Sequence, residues 1–148
     1  MAENPDPRIV STGFEGIDRI LTNLRLGDNV VWQIDQISDY QRCVEAYVRQ
    51  AQADQRKLVY FRFGNHPDLL DQLDFPALFE RVELDASAGF EHFTSQIYLK
   101  ITEAGLQAFY VFDCLSDLLD TWASDLMIGN FFRIVCPYLF ELDTVAYF

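Results

Sequence analysis

The chain is expected to fold as a doubly wound α/β domain, a mostly parallel sheet with helices on both faces. Short β-branched and aromatic runs alternate with longer amphipathic stretches. The runs at 29–34 and 108–113 have the length and apolar character of strands covered on both faces. Half of the 148 residues are hydrophobic, enough for the core of one domain.

Residues 1–10 are polar and acidic at the start and are expected to be flexible, leaving 11–148 as the folded unit. Ile17, Ile20, Leu21 and Leu24 lie at helical spacing, and Gly27 with Asp28 ends that pattern. Residues 29–34 then form a strand. From Ser38 the stripe Tyr40, Cys43, Val44, Tyr47, Val48 and Ala51 marks one buried helix face, and Ser38 with Gln41 reads as a capping box. Residues 58–63 make a second strand, parallel to the first because a helix connects them. Gly64-Asn65-His66-Pro67 is expected to open a short helix through Leu73. Residues 79–84 read as a short strand. Phe90, Phe93, Ile97, Ile101 and Ala104 mark a helix ending near Gly105. The strand at 108–113 carries a carboxylate at its C-terminal end. Met127, Phe131, Ile134, Val135, Tyr138 and Leu142 mark a helix bent or interrupted at Pro137, and 144–148 form a last strand ending in two aromatics expected to be exposed.

Composition narrows the function. Lys and Arg number 11 against 23 Asp and Glu, a net charge of −12 that repels a phosphate backbone, so nucleic acid is not an expected partner. No run approaches the roughly 18 apolar residues of a membrane span, and the N-terminus lacks a signal-like start, so the expected location is cytoplasmic. Cys43, Cys114 and Cys136 are expected to be reduced and buried. His66 and His92 stand at no ligand spacing.

In open α/β sheets ligands bind outside the C-terminal strand ends, here the segments after Ile34, Phe63 and Asp113. The phrases Ser11-Thr12-Gly13-Phe14-x-Gly16-Ile17-Asp18-x-Ile20-Leu21 and Leu26-Gly27-Asp28-Asn29-Val30-Val31 resemble the opening of KaiC-like members of the RecA ATPase family. Leu58-Val59-Tyr60-Phe61-x-Phe63 is similar to that family's second strand, and Tyr110-Val111-Phe112-Asp113 to its Walker B strand. The resemblance spans nearly the whole chain. It implies a three-layer RecA-like P-loop NTPase fold, truncated at the C-terminus, with 144–148 between the first strand and the Asp113 strand.

The phosphate loop is where the likeness fails. Where the family has Gly-x-x-x-x-Gly-Lys-Thr, this chain has Ile34-Asp35-Gln36-Ile37-Ser38-Asp39-Tyr40-Gln41. Glycines let successive backbone N–H groups wrap a phosphate, and the lysine supplies charge. Here the degenerate positions Asp35, Ser38, Asp39, Tyr40 and Gln41 offer neither. A carboxylate about 5 Å from a phosphate costs on the order of 3 kcal/mol at an effective dielectric near 20. The water-polarising glutamate expected after the second strand is replaced by Gly64 and Asn65. No nucleotide cofactor, and no ATPase activity, is therefore expected.

Asp113 is the residue through which a metal would be held, alone or with Asp35 and Asp39, although its ordinary role would be to fasten the strand-to-loop corner. Asp117, Asp120 and Asp125 read as a solvated helix end or loop. Cys114 lacks an activating histidine. The 22 aromatic residues suit a core with some surplus for an interface. The expectation is a non-catalytic RecA/KaiC-like module for assembly or regulation, associating with a protein partner or itself through the exposed sheet edge at 29–34. The segment Gly27-Asp28-Asn29-Val30-Val31-Trp32-Gln33 is also similar to N-terminal domains fused to phosphoenolpyruvate synthase or pyruvate phosphate dikinase-type enzymes, which implies an appendage to a larger enzyme. Two alternatives stay open. One is an ATP-binding protein with an atypical site, in which Asp113 holds a metal and a base stacks on Tyr40; the other is a small enzyme using the acidic strand ends.

Overall fold

The computed structural model describes residues 6–74 and 76–148. In chain order the elements are β1 (Ile9–Val10), α1 (Glu15–Leu21), β2 (Leu24–Arg25), β3 (Asn29–Val30), α2 (Ile37–Ala53), β4 (Leu58–Arg62), β5 (Phe79–Glu83), α3 (Phe90–Ala104), β6 (Phe109–Phe112), α4 (Ser116–Trp122), α5 (Asp125–Glu141) and β7 (Val145–Tyr147). Five strands form one parallel sheet in the order β3-β7-β6-β4-β5, and β1 and β2 pair as a small antiparallel ribbon. The fold is α/β, a parallel sheet flanked by helices.

The two-residue alternation of the strands sorts the core into two layers. Leu58, Tyr60, Phe109, Val111, Val145 and Tyr147 face α2, where Tyr40, Val44, Tyr47, Val48 and Ala51 supply the stripe seen in the sequence. Val59, Phe61, Tyr110, Phe112 and Ala146 face the other way, against Phe93, Ile97 and Ile101 of α3 and Phe131, Val135 and Leu139 of α5. Aromatic rings carry much of this packing: Tyr47 stacks on Tyr147 at 3.9 Å and on Phe109 at 5.3 Å.

Several expectations are corrected. Residues 64–73 form turns, not a helix. Leu69 and Leu70 are both buried although adjacent, and the Leu70 N–H is taken by the Asp68 side chain, a local bond that competes with a helix. The first strand is only Asn29–Val30, although Trp32 N–H still donates to the Phe148 carbonyl. The terminal Tyr147 and Phe148 are buried. α5 runs unbroken through Pro137. Of the N-terminal stretch expected to be flexible, 1–5 lie outside the described residues, while Ile9–Val10 belong to β1. Among the described residues no helix is long and apolar enough to cross a membrane.

The Ser11-Thr12-Gly13 phrase has a scaffold role. The Asp18 carboxylate accepts from Ser11 Oγ at 2.5 Å, Thr12 N at 2.8 Å and Thr12 Oγ1 at 2.7 Å. Burial works against its charge, but these bonds outweigh it and hold its pKa below the ordinary value. Gly13, at φ +85°, lies so close to α2 that a Cβ would stand 2.5 Å from the Ala46 carbonyl oxygen.

Candidate functional site

The C-terminal strand ends divide into two environments. At the β4/β6 end Asp113, fully buried, is enclosed by donors. Its Oδ2 accepts from Arg62 Nη1 at 2.5 Å and from the Phe63 and Gly64 amides at 2.8 Å each. Its Oδ1 accepts from the Tyr60 hydroxyl at 2.5 Å. Burial first, and then the Asp113 charge, push the Tyr60 phenol well above its ordinary pKa, so it remains a donor. Burial disfavours the Arg62 charge, yet its bond to Asp113 leaves the guanidinium pKa raised. Arg62 also donates to the Gly64 carbonyl at 2.6 Å and the His66 carbonyl at 2.5 Å, tying the loop after β4 to the carboxylate.

His66 completes the loop. The Cys114 amide can only donate, so His66 Nε2, 3.2 Å away, accepts, and the proton sits on Nδ1, 2.8 Å from the Pro67 carbonyl. The 3.5 Å approach of Nε2 to Asp113 Oδ1 is then a contact and not an ion pair. The Asn65 amide donates to Asp117 Oδ2 at 2.8 Å, so Asp117, expected in a solvated cluster, anchors this loop. Gly64 is packed between these side chains: a Cβ there would lie 2.6 Å from His66 Nε2 and 2.7 Å from Asp117 Oδ2. Asp113 does fasten the strand-to-loop corner. The cation beside it is Arg62, and among the described residues no three His, Cys, Asp or Glu side chains are grouped to hold a metal. Asp35 and Asp39 are exposed and take no part in this network.

The positions that the resemblance aligns with a phosphate loop lie at the other end, beyond β3. α2 begins at Ile37 with Gln36 as its N-cap, and no side chain caps it. The capping box expected of Ser38 and Gln41 is therefore absent: Ser38 lies inside the first turn, and Gln41 Nε2 reaches the Leu69 carbonyl at 3.4 Å. Ile37 packs against the core, and the N-cap falls two residues earlier than the capping box would place it. Tyr40, which the resemblance aligns with the phosphate-loop lysine, is 2% exposed and donates to the Phe112 carbonyl at 2.7 Å. Its ring is thus largely a core element.

Between these positions and the start of α4 and α5 lies a cavity of about 630 Å³. Its walls are mainly apolar, with Trp32, Ile34, Tyr40, Leu115, Phe132 and Phe148 among them. Among the described residues its only charged lining residues are Asp35 and Asp125, and both are exposed. Trp32 Nε1 is buried without a hydrogen-bond partner. Cys114 lines the same cavity; all three cysteines are free and half-buried. Burial pushes the Cys136 thiol up to about 11, so it is a poor nucleophile at neutral pH.

No family model matches the chain, and no curated protein matches it. The site therefore rests on its geometry. Sequence reasoning missed Arg62, whose signal was available: a lone charge in the otherwise apolar run 58–63, on the strand beside Asp113.

Proposed function

We propose that this domain is a non-catalytic RecA/KaiC-like module that serves assembly or regulation. The observation that carries this reading is the exchange of partners at the strand ends. The side chain at the phosphate-loop lysine position, Tyr40, is bonded into the core, and Asp113 at the Walker B position is neutralised by Arg62. Both groups that would hold a magnesium nucleotide are occupied by the protein itself. Among the described residues, the cavity in the nucleotide's place has carboxylates as its only charged side chains, which disfavours a phosphate ligand. The strand order β3-β7-β6-β4 supports the family likeness, because it puts the last strand between the first and the Asp113 strand as that likeness implies. In its broader form the reading makes the domain an appendage to a phosphoenolpyruvate synthase or pyruvate phosphate dikinase-type enzyme, and this rests on the resemblance of 27–33 alone.

Isothermal titration with magnesium-ATP tests it. No heat of binding is expected up to millimolar nucleotide, whereas micromolar binding would overturn the reading in favour of an atypical ATP site.

A further inference from the structure

The two edges of the sheet differ in protection. The β5 edge carries Glu80, Arg81 and Glu83, charges that discourage pairing with another strand. The β3 edge, from Asn29 to Asp35, has no Lys, Arg or Pro. On its inner side Asp28 and Val30 accept from Ala146 and Phe148, and Trp32 donates to Phe148. Because Val30 and Trp32 both bond inward, the Val31 peptide group turns outward, and Gln33, two residues further on, is exposed. Val31 is 64% exposed. The same two residues form a wall of the 630 Å³ cavity, so an unpaired backbone runs directly into an apolar groove.

We propose that the β3 edge and this groove bind an extended peptide segment in which apolar residues alternate with Lys or Arg. Its backbone pairs with Val31 and Gln33, its apolar side chains enter the groove, and its cations face Asp35 and Asp125. This names the partner class of the assembly reading above and rests on it. Charge decides between occupants. A second copy of the chain, at −12, would bring like charge to an acidic groove, and a nucleic acid would be repelled more strongly. A basic strand gains from both the groove carboxylates and the open edge.

Selection of a random peptide library displayed on phage against the whole folded chain tests this. Enriched sequences should alternate apolar and basic residues. Fluorescence anisotropy of an enriched peptide should show binding at least about tenfold weaker to the Asp35→Lys, Asp125→Lys double variant, the change expected when two ion pairs become repulsions. Both positions are exposed, so circular dichroism should show the variant folded. Amide exchange at Val31 and Gln33 should slow on binding. The proposal is overturned if no sequence is enriched, if enriched peptides lack basic residues, if the double variant binds them unchanged, or if sedimentation shows a self-dimer through this edge. ATP binding that leaves peptide capture intact would sink the pseudo-ATPase reading alone; failed peptide selection without ATP binding would sink this proposal alone.

Discussion

The two ends of the strand row solve the same problem in opposite ways. At the β4/β6 end a buried carboxylate is surrounded by a guanidinium, a phenol and two amides, and the loop beyond it is fixed to the same group. At the β3 end the lining carboxylates are bare, the indole N–H of Trp32 has no partner, and the backbone of the edge is open. A saturated network holds loops in place and leaves nothing for a ligand to gain. An unsaturated one is where binding can still add bonds. On the proposal above, recognition lies away from the aspartate that the family resemblance makes most conspicuous.

The largest effect should come from breaking the saturated end. Asp113→Ala leaves Arg62 half-enclosed without a counter-charge and frees the Tyr60 hydroxyl and two amides. Removing one partner of a buried ion pair typically costs about 3–5 kcal/mol, and denaturant unfolding should show a loss of that order. Asp113→Asn keeps the shape and should recover part of it. A near-neutral Asp113→Ala would mean that the network is not what holds the loop at 63–66, and the comparison would fall.

A smaller effect is expected where the two ends meet. Tyr40 lines the cavity yet bonds to the last residue of β6. Tyr40→Phe removes that hydrogen bond and little else, and chemical unfolding should register a loss of about 1 kcal/mol. No magnesium-ATP binding is expected of this variant either, since the ring still fills the position that the resemblance aligns with the lysine. A gain of ATP binding in this variant would show that the hydroxyl alone keeps nucleotide out.

How much of this was legible in the sequence follows from the range of the interactions involved. The stripes of α2, α3 and α5 were readable because burial repeats every turn, and Pro137 misled only because one missing N–H does not outweigh the packing of Phe131, Val135 and Leu139. The helix expected after Gly64 failed for the opposite reason. Residues 64–66 are held by Asp113, Asp117 and Arg62, which lie on other segments, and the Asp68 side chain takes the Leu70 N–H where the helix would run. Asp113 was visible as a carboxylate closing an apolar strand, but its partner was not inferred, because strand neighbours follow from sheet order and not from chain distance. The bare groove was half-visible: the missing glycines and lysine were plain, whereas the apolar walls come from α4, α5 and Phe148, brought together only by the fold.

The smallest effect, and the most discriminating, concerns the bare carboxylates. Asp35 and Asp125 are exposed and make no hydrogen bond or ion pair that holds the fold together. If the open end has no structural task beyond the Asp125 charge in the first turn of α5, the Asp35→Asn, Asp125→Asn double variant should unfold within about 1 kcal/mol of the wild type. The same substitutions should still weaken capture of a basic strand, because they remove charge from the groove without altering its shape. Equal stability with weaker capture separates recognition from folding at this end. At the Asp113 end the two cannot be separated, since every atom of that carboxylate is already used to close the structure.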